Sequence, residues 1–297
     1  MKRMKSLKGS ALTVLFCMAV LCTILCTACP NAAGGGGSVY VQVAYTELDG
    51  YLANTASADK VNYIEVTGVS KEDIAGKAVE FNAEAGELGK KILAAAPKKV
   101  ALKLPGKVAG LESMRLSFYL CTNLVSLAGI PASVKDMGGC FNGCTSLTKA
   151  PVIPANVTNI NSCFFGCTSL TESPVIPASV TDMRWCFYGC TSLTQAPAIP
   201  ASVTDMERCF EGCTRLTKAP VIPESVTNMT YCFSGCSALK GVKLNCPYNG
   251  TGNAFENAFL GCTSLEDQGI KVKNDQLSIY KMNAGAMGTT AEKFSGF

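Results

Sequence analysis

One phrase, Cys-Phe-x-Gly-Cys-Thr-x-Leu-Thr, begins at Cys140, Cys163, Cys186 and Cys209, each 23 residues after the last. Degenerate copies open in register at Ser117 and Cys232, and a final copy opens at Ala258, 26 residues on. A chain with this regularity cannot bury a repeat on its own, so neighbouring units must stack and share one continuous core. In one unit the apolar set is Ile153, Val157, Ile160, Cys163, Phe164, Cys167 and Leu170. The ladder Phe118, Phe141, Phe164, Phe187, Phe210, Phe233 and Phe259 would be the spine. A glycine such as Gly166, following a short helical turn, suits a positive φ. Pro154, Pro177, Pro200 and Pro223 should end a short strand in each coil. Adjacent coils should lie ~4.8 Å apart, the spacing of neighbouring strands.

Periods of 20 to 29 residues with recurring leucines mark leucine-rich repeats. The string Ile-Pro-Ala-Ser-Val-Thr-Asp-Met followed by Cys-Phe-Tyr-Gly-Cys-Thr-Ser-Leu-Thr (176–194) resembles the BspA-like, treponemal-type bacterial repeats over about Val100 to Leu265. One departure is visible. The phenylalanine sits one residue nearer the Met/Ile position, and an extra Pro151-Val152 or Pro197-Ala198 restores the count, leaving strand register open. The resemblance implies an α/β leucine-rich-repeat solenoid of short strands and short helical turns. It also implies a surface protein, adhesin-like, that binds protein or another macromolecule on a host or neighbouring cell. The alternative is a structural or immune-decoy surface antigen without a single high-affinity ligand.

The flanks differ from the repeats. Met1 to Lys8 is basic and Ala11 to Ala28 is an uncharged apolar run, so residues 1–28 read as a signal peptide. Cys26-Thr27-Ala28-Cys29 resembles a bacterial lipobox, with Cys26 where leucine is usual, and implies lipidation at Cys29. Residues 29–38 are then the lipidated cysteine and a glycine-rich tether, giving a cell-surface or outer-membrane address through a lipid anchor. Plain secretion and a retained membrane helix are the alternatives. Residues 39–99 read as a divergent β-α cap region, with strands at 39–43 and 61–66 and a helix at 86–95. A third strand at 100–104 opens the solenoid, residues 100–266. Residues 267–297 form a C-terminal cap with a helix at 276–287, because repeat arrays need closed ends.

Composition narrows the function. An apolar fraction of 48% against 16% charged residues requires a packed core. The net charge of +4 vanishes once Lys2, Arg3, Lys5 and Lys8 are set aside, since 26 − 4 leaves 22 basic against 22 acidic residues. Without a basic stripe, nucleic acid is not an expected partner. There is no histidine, which removes the commonest general base and zinc ligand, and no enzyme, catalytic residue, metal or cofactor is expected.

The five Cys-x3-Cys pairs, Cys140/Cys144 to Cys232/Cys236, have a chemical and a structural reading. Zinc and inter-coil disulfides are open to them. The register around each core phenylalanine favours small buried thiols that fill space. Likewise Asp136, Asn159, Asp182, Asp205 and Asn228 could hold calcium between coils or cap the turn that follows them, and capping is the favoured reading.

Two columns do not repeat. Before Cys-Phe stand Gly139, Ser162, Trp185, Arg208 and Tyr231, and after it Asn142, Phe165, Tyr188, Glu211 and Ser234. Freely changing columns beside invariant ones should be exposed. Phe165, Trp185, Tyr188, Arg208, Glu211 and Tyr231 are therefore expected to form a partner-binding patch, rich in the residue types of interface hot spots. The competing reading is of scattered residues in a tolerant column.

Overall fold

The computed structural model describes residues 39–79, 82–250 and 253–297. The expected leader, Cys29 and the tether lie outside them. Among the described residues no helix is long and apolar enough to cross a membrane.

The N-terminal region alternates β1 (Val41–Ala44), α1 (Leu48–Asn54), β2 (Asn62–Thr67) and α2 (Lys71–Ile74). A small antiparallel hairpin, β3 (Lys77–Val79) with β4 (Asn82–Glu84), then leads to α3 (Glu87–Ala94) and β5 (Val100–Lys103). β2 buries every second residue, Asn62, Ile64 and Val66, as a strand with one covered face must. α3 turns Leu88, Gly89 and Ile92 inward. Gly89 is needed where it stands, since a Cβ there would lie 2.3 Å from the Ser117 carbonyl oxygen of the first repeat. The strands run parallel in the order β1-β2-β5-β6, with β6 at Leu124–Ala128.

Past β6 regular strands stop for three coils. Successive units are joined by isolated parallel bridges, Asp136 to Asn159 to Asp182 to Asp205 on one side and Lys149 to Glu172 on another. The cause is proline. Pro151, Pro174 and Pro197 have no N–H to give, and the residue before each second proline (Ile153, Ile176, Ile199) is confined to extended backbone. The strand returns where the first of these prolines is missing, as in β6 and in β8 (Val242–Leu244), and also just after Pro220, where β8 offers Val221 and Ile222 a regular partner. The second sheet is again parallel, in the order β7 (Val221–Ile222), β8, β9 (Ile270–Val272), β10 (Phe294–Gly296).

The turn around each phenylalanine is tighter than an α-helix. Cys140 and Cys144 donate backbone N–H three residues back, to Met137 and Phe141. The odd-numbered amides from 137 to 143 go elsewhere: Met137, Gly139, Phe141 and Gly143 donate to Asn159, Asn161, Cys163 and Phe165 of the next coil, at 2.7–2.9 Å. An α-helix needs every amide for itself, so this division excludes one.

One contiguous core runs from Val43 to Phe294. All seven ladder phenylalanines are buried, and neighbouring rings stack with centroids 5.4–5.8 Å apart. At the C-terminal end a helix does stand, α4 (Leu277–Met282), shorter than 276–287. It packs buried Tyr280 against Phe294 of β10, a closing strand that the sequence reading did not foresee. Tyr-Lys-Met supports a helix, whereas Phe-Ser-Gly is too short to carry strand periodicity.

Candidate binding surface

The six singled-out residues converge. Phe165 stacks on Tyr188 with centroids 4.5 Å apart, and Trp185 lies 5.4 Å from Tyr188 and 6.2 Å from Phe165. The Arg208 guanidinium sits between two rings, 4.8 Å from Trp185 and 4.3 Å from Tyr231. Glu211 Oε2 holds it there at 2.8 Å from Nη1. Tyr231 in turn accepts a hydrogen bond from Asn257 Nδ2 at 2.9 Å. The patch is thus an interlocked ridge crossing four coils, with Asn257 as a seventh member.

Its residues are half-buried, where full exposure was expected. The side chains lie against their neighbours along the solenoid, so each coil shields part of the next. Ser234, at the end of the second column, is buried outright.

Backbone geometry adds what the sequence reading lacked. Leu116, Gly139, Ser162, Trp185, Arg208, Tyr231 and Asn257 all hold positive φ, from 52° to 60°. One left-handed residue stands in every coil at the same place. Glycine adopts this conformation freely, while an L side chain there costs about 1–2 kcal/mol. The sequence placed glycine at only one of these positions. Trp185, Arg208 and Tyr231 hold their place against that strain, and strained backbone clusters at functional sites. The signal available beforehand was Gly139, alone among side chains in a changing column.

The acidic and amide ladder caps turns. Oδ1 of Asp136, Asn159, Asp182, Asp205 and Asn228 each accepts the backbone N–H two residues on, at 2.9–3.0 Å. Asn159 also donates its side-chain amide to Asp136. These oxygens are therefore spent on the fold. Among the described residues no three Cys, Asp or Glu side chains gather as metal ligands.

The cysteines form two buried ladders. The second member of each pair donates its thiol to a phenylalanine carbonyl of the preceding coil: Cys144 to Phe118, Cys167 to Phe141, Cys190 to Phe164, Cys213 to Phe187 and Cys236 to Phe210, at 3.0–3.2 Å. Cys121 does the same to Gly89 and Cys262 to Phe233. Burial pushes the pKa of every one of these thiols up, to about 12 at Cys121 and Cys262. Protonated thiols of this kind are neither nucleophiles nor ligands.

A model of the BspA-type leucine-rich-repeat region matches in six copies, across residues 89–217 and 172–282. The chain belongs to the BspA-type leucine-rich-repeat family. Two solved structures are similar. The T. pallidum leucine-rich repeat protein shares 24% identity over 67% of this chain and 86% of its own, with a TM-score of 0.48. A Bacteroides ovatus leucine-rich repeat protein shares 20% over 66% of this chain and 61% of its own, with a TM-score of 0.40. No curated protein matches. BspA-type repeat proteins are commonly surface-associated in bacteria, with binding rather than catalytic roles.

Proposed function

We propose that this BspA-type protein is an adhesin-like surface protein, anchored by a lipid on Cys29, that grips a macromolecule on a host or neighbouring cell through the ridge Phe165, Trp185, Tyr188, Arg208, Glu211 and Tyr231. The observation that carries the reading is the placing of Trp185, Arg208 and Tyr231 on left-handed backbone that glycine would occupy without strain. Their two cation–π contacts return roughly 0.5–1 kcal/mol each at half-exposed positions, and the rings of Phe165 and Tyr188, the Glu211 ion pair and the Asn257 hydrogen bond offset more of the strain within the ridge. Aromatic and arginine side chains in one half-desolvated cluster are what interface hot spots are made of.

Two measurements test the reading. In a binding screen against immobilised matrix and cell-surface macromolecules, Trp185→Ala with Tyr188→Ala should keep the fold and weaken binding at least about tenfold. Absence of any ligand at micromolar concentration would favour the display-antigen alternative. Cys29→Ser should move the protein out of the membrane fraction and abolish incorporation of a labelled fatty acid. Unchanged incorporation would remove Cys29 as the anchor.

A further inference from the structure

A second exposed feature lies on the side of the coils away from the ridge. Val152 and Val175 are 89% and 88% exposed, and Ala198 and Val221 take the same place in the next two coils. Proline stands directly before each and again two residues after it, as Pro151 and Pro154 do around Val152. The four coils therefore carry one continuous stripe of small apolar side chains. Parallel pairing takes the column onward from Val221 to Lys243 and then Lys271. Phe297, 44% exposed, lies under the Lys243 ammonium at 3.7 Å. Contiguous apolar surface of this kind marks contact with a protein or a membrane.

Two observations favour the membrane. The first is where the chain enters. Val39, the first described residue, is 77% exposed, and Tyr40 lines one cleft with Pro151, Val152 and Pro154 at the head of the stripe. Cys29 stands ten residues before Val39, a reach of at most about 35 Å, so a lipid on it brings the stripe to the bilayer. The second is charge. Glu65, Glu172 and Glu224 along this face are held by Lys103, Lys149 and Lys273. Lys218, Lys243 and Lys271 pair with no carboxylate among the described residues, so the face ends on a cationic surplus. An acidic protein would answer the charge but not the point of entry. Valine and proline edges enter between head groups while lysines reach along them to the phosphates. The backbone N–H and carbonyl groups of Val152 and Val175 make no hydrogen bond to a described residue, which keeps the contact shallow, where water still reaches them.

We propose that the anchored solenoid lies on the membrane by this stripe, with Lys218, Lys243 and Lys271 on anionic lipid head groups. The inference rests on the lipid at Cys29 and adds how the molecule is held. Trp185 and Tyr188 follow Val175 by 10 and 13 residues in a coil that closes every 23, so ridge and stripe stand about half a circuit apart. The phenylalanine core lies between them. A solenoid resting on the stripe presents the ridge outward. Each lysine brought to an anionic surface raises partitioning about fivefold, and salt weakens the effect.

The test is photolabelling of the full lipidated chain in vesicles of phosphatidylcholine and phosphatidylglycerol, doped with a phospholipid carrying a diazirine on its head group. Label mapped by mass spectrometry should fall on 150–154, 173–177, 196–200 and 218–223, and not on 185–188 or 208–211. Val152→Asp with Val175→Asp, and separately Lys218→Glu with Lys243→Glu, should still float with the vesicles and lose at least about fivefold of that label. All these side chains lie at the surface, so circular dichroism should match the wild type. A chain that floats but labels evenly around the coil, only beside Tyr40, or on the ridge overturns the inference and leaves the anchor standing. Label on the stripe that neither pair of substitutions lowers overturns it as well. A chain whose Cys29 carries no lipid and that does not float overturns the anchor and the inference together.

Discussion

The ends of the solenoid and its middle solve the same stacking problem differently. At the ends, β1-β2-β5-β6 and β7-β8-β9-β10 join coils by regular parallel ladders over cores of isoleucine, leucine and valine. In the middle, prolines 151, 174 and 197 take the ladder away, and coils are joined by side chains: stacked phenylalanines, buried thiols and the surface ridge. Backbone continuity moves from the strand to the turn, where alternate amides cross to the next coil. The lesson is that a sheet is optional in such a solenoid when every coil repeats the same core side chains. The strand face, released from pairing, becomes surface.

The largest test of this contrast is alkaline pH. Ten thiols between Cys140 and Cys236 have pKa values raised by burial. In the unfolded chain they lose protons from about pH 8.5. The fold holds protons that the unfolded chain releases, so stability is full below about pH 8 and falls as pH rises. Each thiol contributes about 1.4 kcal/mol per pH unit, so ten remove on the order of 10 kcal/mol between pH 9 and 10, comparable with the whole stability of a domain. Hydrogen exchange should show the middle opening near pH 10 while the end sheets keep protection. A middle that survives to pH 11 would mean that these cysteines do not titrate on unfolding, as inter-coil disulfides would not.

Next in size is the ladder itself. Phe187→Ala should cost about 3–5 kcal/mol, read from denaturant unfolding. With no sheet to bridge the gap, exchange should accelerate in the coils of both stacked neighbours, Phe164 and Phe210. Leu102→Ala, equally buried in β5, should cost about 2–5 kcal/mol with its effect confined to the N-terminal sheet. Equal spreading from both sites would erase the distinction between ends and middle.

Much of this was legible in the sequence. Phenylalanine, cysteine and leucine columns are invariant because each faces the core, and invariance across coils can be read from one chain. The strands expected at 39–43, 61–66 and 100–104 are alternating or continuous apolar runs and stand within two residues as β1, β2 and β5, whereas the hairpin β3–β4 and β9 were not expected. What escaped was backbone conformation. A positive φ at Trp185 or Tyr231 leaves no trace in residue type, and only Gly139 hinted at it. The closing strand Phe294–Gly296 carries one apolar residue, too few for periodicity. Val152 and Val175 are apolar yet almost wholly exposed, while Ile153 and Ile176 beside them face the core. Proline on either side of the Val-Ile step sets which of those two residues faces in, a register that composition does not reveal.

The smallest expected effect separates the two regions most cleanly. On ordinary strand or helix backbone, alanine is more stable than glycine by roughly 0.5–1 kcal/mol. That order should hold at Lys103, the half-buried last residue of the interior strand β5. At Trp185 it should reverse. Both substitutions lose the same ring contacts with Phe165, Tyr188 and Arg208, so the difference between them isolates the backbone. With φ at 60°, Trp185→Gly should be more stable than Trp185→Ala by about 1 kcal/mol, and Tyr231→Gly should beat Tyr231→Ala by a similar margin. Urea midpoints of the four variants measure it directly. If alanine matches glycine at both sites, the left-handed turn is not imposed by the stacked coils, and the strain that marks the ridge as a selected surface is not there. If glycine wins at both, each coil keeps a position where stability favours no side chain at all, and the aromatic and arginine residues found there are held for contact.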